Sequence, residues 1–336
     1  MFSLQPIMQV KLFNKTPYLI SVLLSVSLNI LVAQKQENFK HSIEIATDND
    51  AFNLWENFDR YYTYGAGIKY AFKSEKFLGL EKLFSKKQDY FFSASIRSEG
   101  YTPTRVQLSE LDPDEISINI DRPFAGLLYG TFDATYTFKN SFIKTELYLG
   151  IMGPTALSKE IQDWIHDNIT DDALIDGWEF QMPDQLILNI NVSGAYDFNP
   201  ESTWFDAYGM GEARIGNLYI DATPTVGFRI GKFGPFATSA AFGNSLIGKK
   251  SLIEFYLRSS FSATFTAFNG TAQGNIFSND FQYAVEDLSN FHTSMSHGLF
   301  VNLRNFGFSL DNTFSYGKVN KGVRFIYGRF SFNYRF

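Results

Sequence analysis

Only four histidines occur among 336 residues, so each can be weighed singly, and one of them stands where chemistry is possible. His166 follows Gln162 by four residues in the run from Thr155 to Asn168, where Leu157, Ile161, Trp164 and Ile165 fall on one helical stripe. The spacing predicts a short amphipathic helix near 155–168, with Gln162 and His166 beside its apolar stripe. An imidazole with an ordinary pKa of about 6.5 can take a proton from water near neutral pH without much tuning. Far upstream, Asn49 and Asp50 close one alternating segment, and Asp59-Arg60-Tyr61-Tyr62-Thr63 opens the next. If these segments pair as a hairpin, Asn49, Asp50 and Thr63 meet at one rim, which the helix carrying Gln162 and His166 could cover. The same residue types also end strands and turn chains, and spacing alone leaves both readings open. For His41, His292 and His297, solvated or lumen-facing positions in strands are sufficient explanations.

Other chemistries find little support. There is no cysteine, which removes disulfides, thiolate nucleophiles and Cys-ligated metals. Neither a G-x-S-x-G elbow nor an H-E-x-x-H zinc motif is present. Gly243 to Ser251 has the spacing of a phosphate loop but carries Lys250 where a hydroxyl should hold magnesium, and it reads as an ordinary loop. Asp48-Asn49-Asp50-Ala51-Phe52 hints at a calcium loop, yet the glycine of the EF-hand pattern is missing. The formal charge of −6 argues against nucleic acid as a partner.

The elements that must position these residues follow from the hydropathy pattern. Lys11 and Lys15, the apolar stretch Tyr18 to Val32 and the small residue Ala33 have the order of a secretory signal peptide, so residues 1–33 are expected to be removed. From 34 to 336 the signal is period two: Phe330, Phe332, Tyr334 and Phe336 alternate with Arg329, Ser331, Asn333 and Arg335, and the segments around 219–231, 251–268 and 305–317 behave alike. The 36 Phe, 18 Tyr and 4 Trp need a home, and 45% apolar residues are too few for a bundle of membrane helices. Export, long strands and a small or charged second face point to an all-β transmembrane antiparallel barrel of about 12 strands. The strands are expected near 40–49, 61–73, 88–99, 124–138, 141–152, 185–198, 202–216, 219–231, 251–268, 291–304, 305–317 and 322–336. With both termini in the periplasm, the connections 50–60, 100–123, 153–184 and 269–290 fall outside the cell. The stretch 232–250 is long for the inner side, and the pattern gives no account of it.

Asn49-Asp50-x-Phe52, Asp59-Arg60-Tyr61-Tyr62-Thr63-x-Gly65, Tyr101-Thr102-Pro103, Asp121-Arg122-Pro123-Phe124-Ala125-Gly126, Gly150-x-x-Gly153-Pro154, Gln162-x-x-x-His166 and Gly177-Trp178-x-x-Gln181 follow one another in order. Together they resemble the outer-membrane lipid A 3'-O-deacylases, clearly over residues 43 to 230 and by barrel pattern beyond. The resemblance implies a calcium-dependent hydrolase of the ester that joins the 3'-linked acyloxyacyl chain to lipid A, with its site between barrel wall and loop helix. It places the family's essential residues on Asn49, Asp50, Thr63 and His166, with Gln162 as a further site residue. In that frame Asp50 and carbonyl oxygens hold calcium against the developing oxyanion, and His166 accepts the proton of the attacking water. Arg60 and Arg122 are candidate contacts to substrate phosphate, with ion pairing inside the protein as the other reading. Phe124 replaces a common Tyr, and Pro183-Asp184-Gln185 replaces an Asn-Glu pair. Lipopolysaccharide is the implied partner, and no obligate protein partner is evident. Two alternatives remain: an outer-membrane phospholipase, which would need a serine nucleophile beside a His, and a non-catalytic channel or scaffold barrel.

Overall fold

The structure is a computed structural model and describes residues 39–49, 52, 61–104, 120–170, 175–248, 253–278, 281–319 and 324–336. The expected leader 1–33, Asp50 and Arg60 lie outside the described residues.

Twelve antiparallel strands close into a barrel. They are β1 (His41–Asn49), β2 (Tyr64–Phe72), β3 (Asp89–Tyr101), β4 (Ala125–Thr137), β5 (Ser141–Met152), β6 (Gln185–Asp197), β7 (Phe205–Gly216), β8 (Tyr219–Lys232), β9 (Ile253–Asn269), β10 (Phe291–Leu303), β11 (Phe306–Tyr316) and β12 (Arg324–Arg335). Each pairs with its sequence neighbour, and β1 meets β12 from Ser42 opposite Arg335 to Asn49 opposite Gly328. No edge strand is left among the described residues, as lipid requires, because the hydrocarbon offers no partner to a bare backbone group.

β6 shows which solvent the wall meets. Leu186, Leu188, Ile190 and Val192 are 76, 54, 49 and 45% exposed, while Asn189, Asn191 and Ser193 between them are buried. A water-soluble sheet would reverse this. Greasy side chains outside and polar ones inside are what a lipid-embedded wall needs. No helix among the described residues is long and apolar enough to cross a membrane.

β1, β3, β5, β7, β9 and β11 finish at one end, the far rim, and the start of β1 and the end of β12 lie at the other, the terminal end. The stretch after β8, which the hydropathy pattern left without a role, is a plug at the terminal end. Three short 3-10 turns, Phe236–Thr238, Ala240–Phe242 and Ser245–Ile247, fold it inward. Phe233, Phe236 and Phe242 pack among Phe142, Tyr208, Tyr256 and Phe300 of the inner wall. Its backbone is tied as well: Glu254 accepts from Gly234 N at 2.6 Å, Arg258 donates to Ala241 O at 2.6 Å and Arg335 to Ser245 O at 2.9 Å. Alternation could not reveal this, because a plug obeys the inner wall's packing and not a strand period.

Beyond the plug lies a lumenal cavity of about 580 Å³. Many of its charges are paired along or between strands, Lys69 to Asp133 at 2.7 Å, Arg97 to Glu99 at 2.7 Å and Arg258 to Asp311 at 2.6 Å.

Candidate functional site

Alternation decides which side of the wall the site occupies. Asp48, Arg97, Glu99 and Tyr129 line the lumen, so Asn49, Ser98, Gly100, Gly126 and Leu128 stand on the outer face. On the lumenal side of the rim, Tyr62 donates to Asp48 at 2.7 Å and accepts from Arg97 at 2.8 Å. Burial and the Asp48 carboxylate push the Tyr62 phenol well above its ordinary value. One residue on, Asn49 turns outward and donates to Thr63 O at 2.8 Å. Thr63 is fixed on two further sides, its N–H on Gly100 O at 2.9 Å and its hydroxyl on that of Thr102 at 2.8 Å. The hairpin expected from the sequence therefore brings Asn49 and Thr63 together, while Asp50 lies outside the described residues.

The loop after β5 supplies the other half. A 3-10 turn, Pro154–Ala156, leads through Leu157 into α1 (Ser158–Ile165). Asp184 accepts from Thr155 N at 2.9 Å and from its hydroxyl at 2.6 Å, which fixes the entry. Leu157 has φ of 57°, a left-handed conformation that a branched side chain adopts only at a cost. Tyr61, ahead of Thr63, has φ of 66°, so backbone strain is stored on both halves of the site.

The orientation of α1 reverses that of an ordinary surface helix. Ser158, Gln162 and His166, spaced by four, are the buried residues, while Leu157 and Trp164 on the apolar stripe are 53 and 59% exposed. The polar face is turned to the wall. Ser158 Oγ donates to Glu99 O at 3.2 Å, and the Tyr64 hydroxyl donates to Ser158 O at 3.3 Å. Gly126 permits the approach, since a Cβ there would stand 2.5 Å from Ser158 Oγ. Gln162 Oε1 accepts from Trp178 Nε1 at 2.7 Å, and the indole packs on Phe124 with ring centroids 5.2 Å apart. His166 begins a π turn, His166–Thr170, and its N–H is shared between the Gln162 and Asp163 carbonyls. Such widened turns recur at functional positions because they re-aim a side chain without ending the helix.

The two halves are joined through neighbours: Tyr64, which touches Ser158, follows Thr63, and Glu99, which receives the Ser158 hydroxyl, precedes the Gly100 that holds Thr63. Gln162 and His166 continue the Ser158 face by one and two turns. Ser158, Tyr64 and Trp178 as the partner of Gln162 were not foreseen, although the period-four series Ser158, Gln162, His166 was visible in the sequence. Arg122 is placed differently from an open phosphate contact. It is 2% exposed and donates to Thr271 O at 2.8 Å and Tyr61 O at 3.3 Å, over the Tyr101 ring. Burial pulls its guanidinium below its ordinary value, and its donors brace three loops.

Among the described residues no group of three or more His, Asp or Glu could hold a metal ion. The carboxylate that the resemblance assigns to calcium, Asp50, lies outside the described residues, so among these only neutral oxygens come into question. Gln181 Oε1, close to the Gly126 backbone, is such an oxygen, buried and without a donor. Oxygen-only donors suit calcium.

Barrel, exposed greasy wall and helix-covered polar patch define a class: an outer-membrane β-barrel with a polar site on its lipid-facing side. The profile of the family described as "Outer membrane protein LpxR" matches residues 19–336, and the chain belongs to that family. It is the family that the ordered motifs resemble. Among solved structures, LpxR from Salmonella typhimurium superposes with a TM-score of 0.67 at 16% identity, covering 88% of this chain and 100% of that one. The β domain of the Bordetella autotransporter BrkA reaches a TM-score of 0.44 at 10% identity, over 88% of this chain and 98% of that one. A comparison with curated proteins finds no match.

Proposed function

We propose that the chain is a calcium-dependent esterase that removes the 3'-O-linked acyloxyacyl chain of lipid A, working from the far rim with that rim facing the cell exterior and residues 1–33 acting as the secretory leader. One observation supports the reading: the helix face carrying Ser158, Gln162 and His166 is buried, and Ser158 ties it to the outer wall through Tyr64, the residue after Thr63, while Leu157 and Trp164 of the apolar stripe stay exposed. A site on that face meets lipid laterally. Lipid A, held in the outer leaflet, can present its ester there without leaving the membrane. A channel is favoured by an open lumen, whereas here an aromatic plug packs inside the wall at the terminal end.

In this mechanism His166 takes the proton of the attacking water and returns it to the leaving sugar hydroxyl. Gln162, held by Trp178, fixes the helix turn from which His166 projects. Asn49 and Thr63 orient the water or the ester carbonyl, where an error of about 1 Å costs roughly a hundredfold in rate. Calcium, when bound through Asp50 and neighbouring oxygens, supplies charge that stabilises the oxyanion. Helix and wall exclude bulk water, which strengthens each of these interactions.

Expression in a bacterium with hexa-acylated lipid A, followed by mass spectrometry of that lipid, tests the reading. Loss of one acyloxyacyl unit, abolished by chelation and restored by calcium, is expected. Intact lipid A beside folded barrel would overturn it, and phospholipid cleavage with lipid A untouched would favour the phospholipase.

A further inference from the structure

The β2–β3 connection, residues 73–88 at the terminal end, does not project into water. It folds back over the outside of the barrel. Phe77 stacks on Phe132 with centroids 5.5 Å apart, lies tilted against Phe92 at 4.8 Å and meets Phe72 edge-on at 5.4 Å. Tyr136 donates to Leu80 O at 3.0 Å, and the Phe84 ring lies 5.0 Å from that of Tyr136. These wall residues alternate with the lumenal series Phe91, Ser93 and Asp133, so they belong to the lipid-facing side. Phe92 is nevertheless 0% exposed and Tyr136 1%, because the loop occupies the place of lipid there.

What the loop then shows outward is equally specific. Leu78, Leu83 and Phe84 are 87, 47 and 43% exposed. Leu78 and Phe84 are held in left-handed conformations, with φ of 51° and 57°. Around them stand Lys73, Lys76, Lys82, Lys86 and Lys87, against Glu75 and Glu81. Lys73 is bound to Asp89 at 2.6 Å, Lys87 donates to Leu83 O at 2.9 Å, and Glu81 is tied to Phe77 N at 2.9 Å. Lys76, Lys82 and Lys86 are exposed and make no ion pair among the described residues. A basic, apolar-tipped segment continuous with a lipid-facing wall, on a chain of net charge −6, has the charge and position of an interfacial anchor.

We infer that the 73–88 loop is a docking site for anionic glycerophospholipid in the leaflet at the terminal end, with Leu78, Leu83 and Phe84 entering the acyl region and Lys76, Lys82 and Lys86 holding headgroup phosphate. The site is independent of the esterase reading and lies at the opposite end of the same strands.

Native mass spectrometry of the purified full barrel, titrated with phosphatidylglycerol and phosphatidylcholine of matched chains, measures it. Each lysine at an anionic surface contributes roughly a fivefold preference, so the three together set a ceiling of about a hundredfold, and the wild type should favour phosphatidylglycerol by at least about tenfold. The K76Q/K82Q/K86Q variant should bind both lipids alike, and Leu78→Ser with Leu83→Ser should weaken both. Heat-modifiable migration checks that each barrel is folded, and lipid A deacylation should be unchanged in every variant. Equal binding by the wild type, a preference that survives the triple substitution, or displacement of the lipid by inorganic phosphate alone would overturn the assignment.

Discussion

The two ends of the barrel solve opposite problems with the same staves. At the terminal end the plug is aromatic, and its backbone groups are answered by Glu254, Tyr256, Arg258 and Arg335 of the wall. At the far rim a helix turns its polar side to the wall, leaves Leu157 and Trp164 uncovered, and is entered through a strained residue. The first arrangement minimises free energy locally. The second gives up some of that stability to hold Gln162 and His166 on a greasy surface, as functional sites commonly do.

The sharpest way to separate the ends is to remove one group from each. His166→Ala should cut deacylation by about 10²–10⁴-fold, the range for a general base, with folding unaltered in heat-modifiability assays. Arg229→Met acts on the other end. It strands Asp206, buried and held from Arg229 Nε at 3.1 Å, and should cost about 3–5 kcal/mol in urea unfolding while leaving turnover at the rim intact. If turnover falls as steeply as stability, the two ends are not independent.

Two smaller changes sharpen the rim itself. Gly126→Val places a branched side chain where Ser158 Oγ sits, 2.5 Å from the first added carbon, and should push the helix from the wall, lowering kcat about a hundredfold. Trp178→Phe removes the donor to Gln162 Oε1 and should lower kcat about tenfold, with KM little changed.

A separate effect concerns the lumen between the ends. Burial, with Arg214 and Arg122 adding to it, pulls Lys318 down from 10.5 to about 8. The unfolded chain then binds more protons than the folded one between those values, so stability rises with pH across that window. Lys318→Met should remove the rise in thermal melting between pH 8 and 10.5; an unchanged slope would show that Lys318 is hydrated.

The strands were legible because lipid on one face and a polar lumen on the other impose period two without interruption. β5 falls on 141–152 as the alternation of Phe142 to Met152 requires, and β6 and β8 differ from their expected spans by a residue. The plug was not legible, since Phe233, Phe236 and Phe242 have no period and are fixed only by distant partners such as Phe142 and Phe300. Gln162 and His166 were visible as a pair on a helix, but the sense in which that helix packs was not. An apolar stripe normally faces inward, and only the lipid outside makes the reverse stable. Arg122 shows the limit from the other side, because a cation's type does not reveal whether loop carbonyls or a ligand will use it.

A site between helix and wall depends on the sense in which α1 packs. The chain has no cysteine, so single spin labels at Trp164→Cys and Gln162→Cys report on one position each in reconstituted bilayers. The label at 164 is expected to be mobile and quenched by oxygen in the lipid, and the label at 162 immobilised and shielded from both oxygen and a water-soluble nickel chelate. A label at 162 that moves freely in water, with the label at 164 locked against the barrel, would show the helix turned the other way and contradict a site between helix and wall.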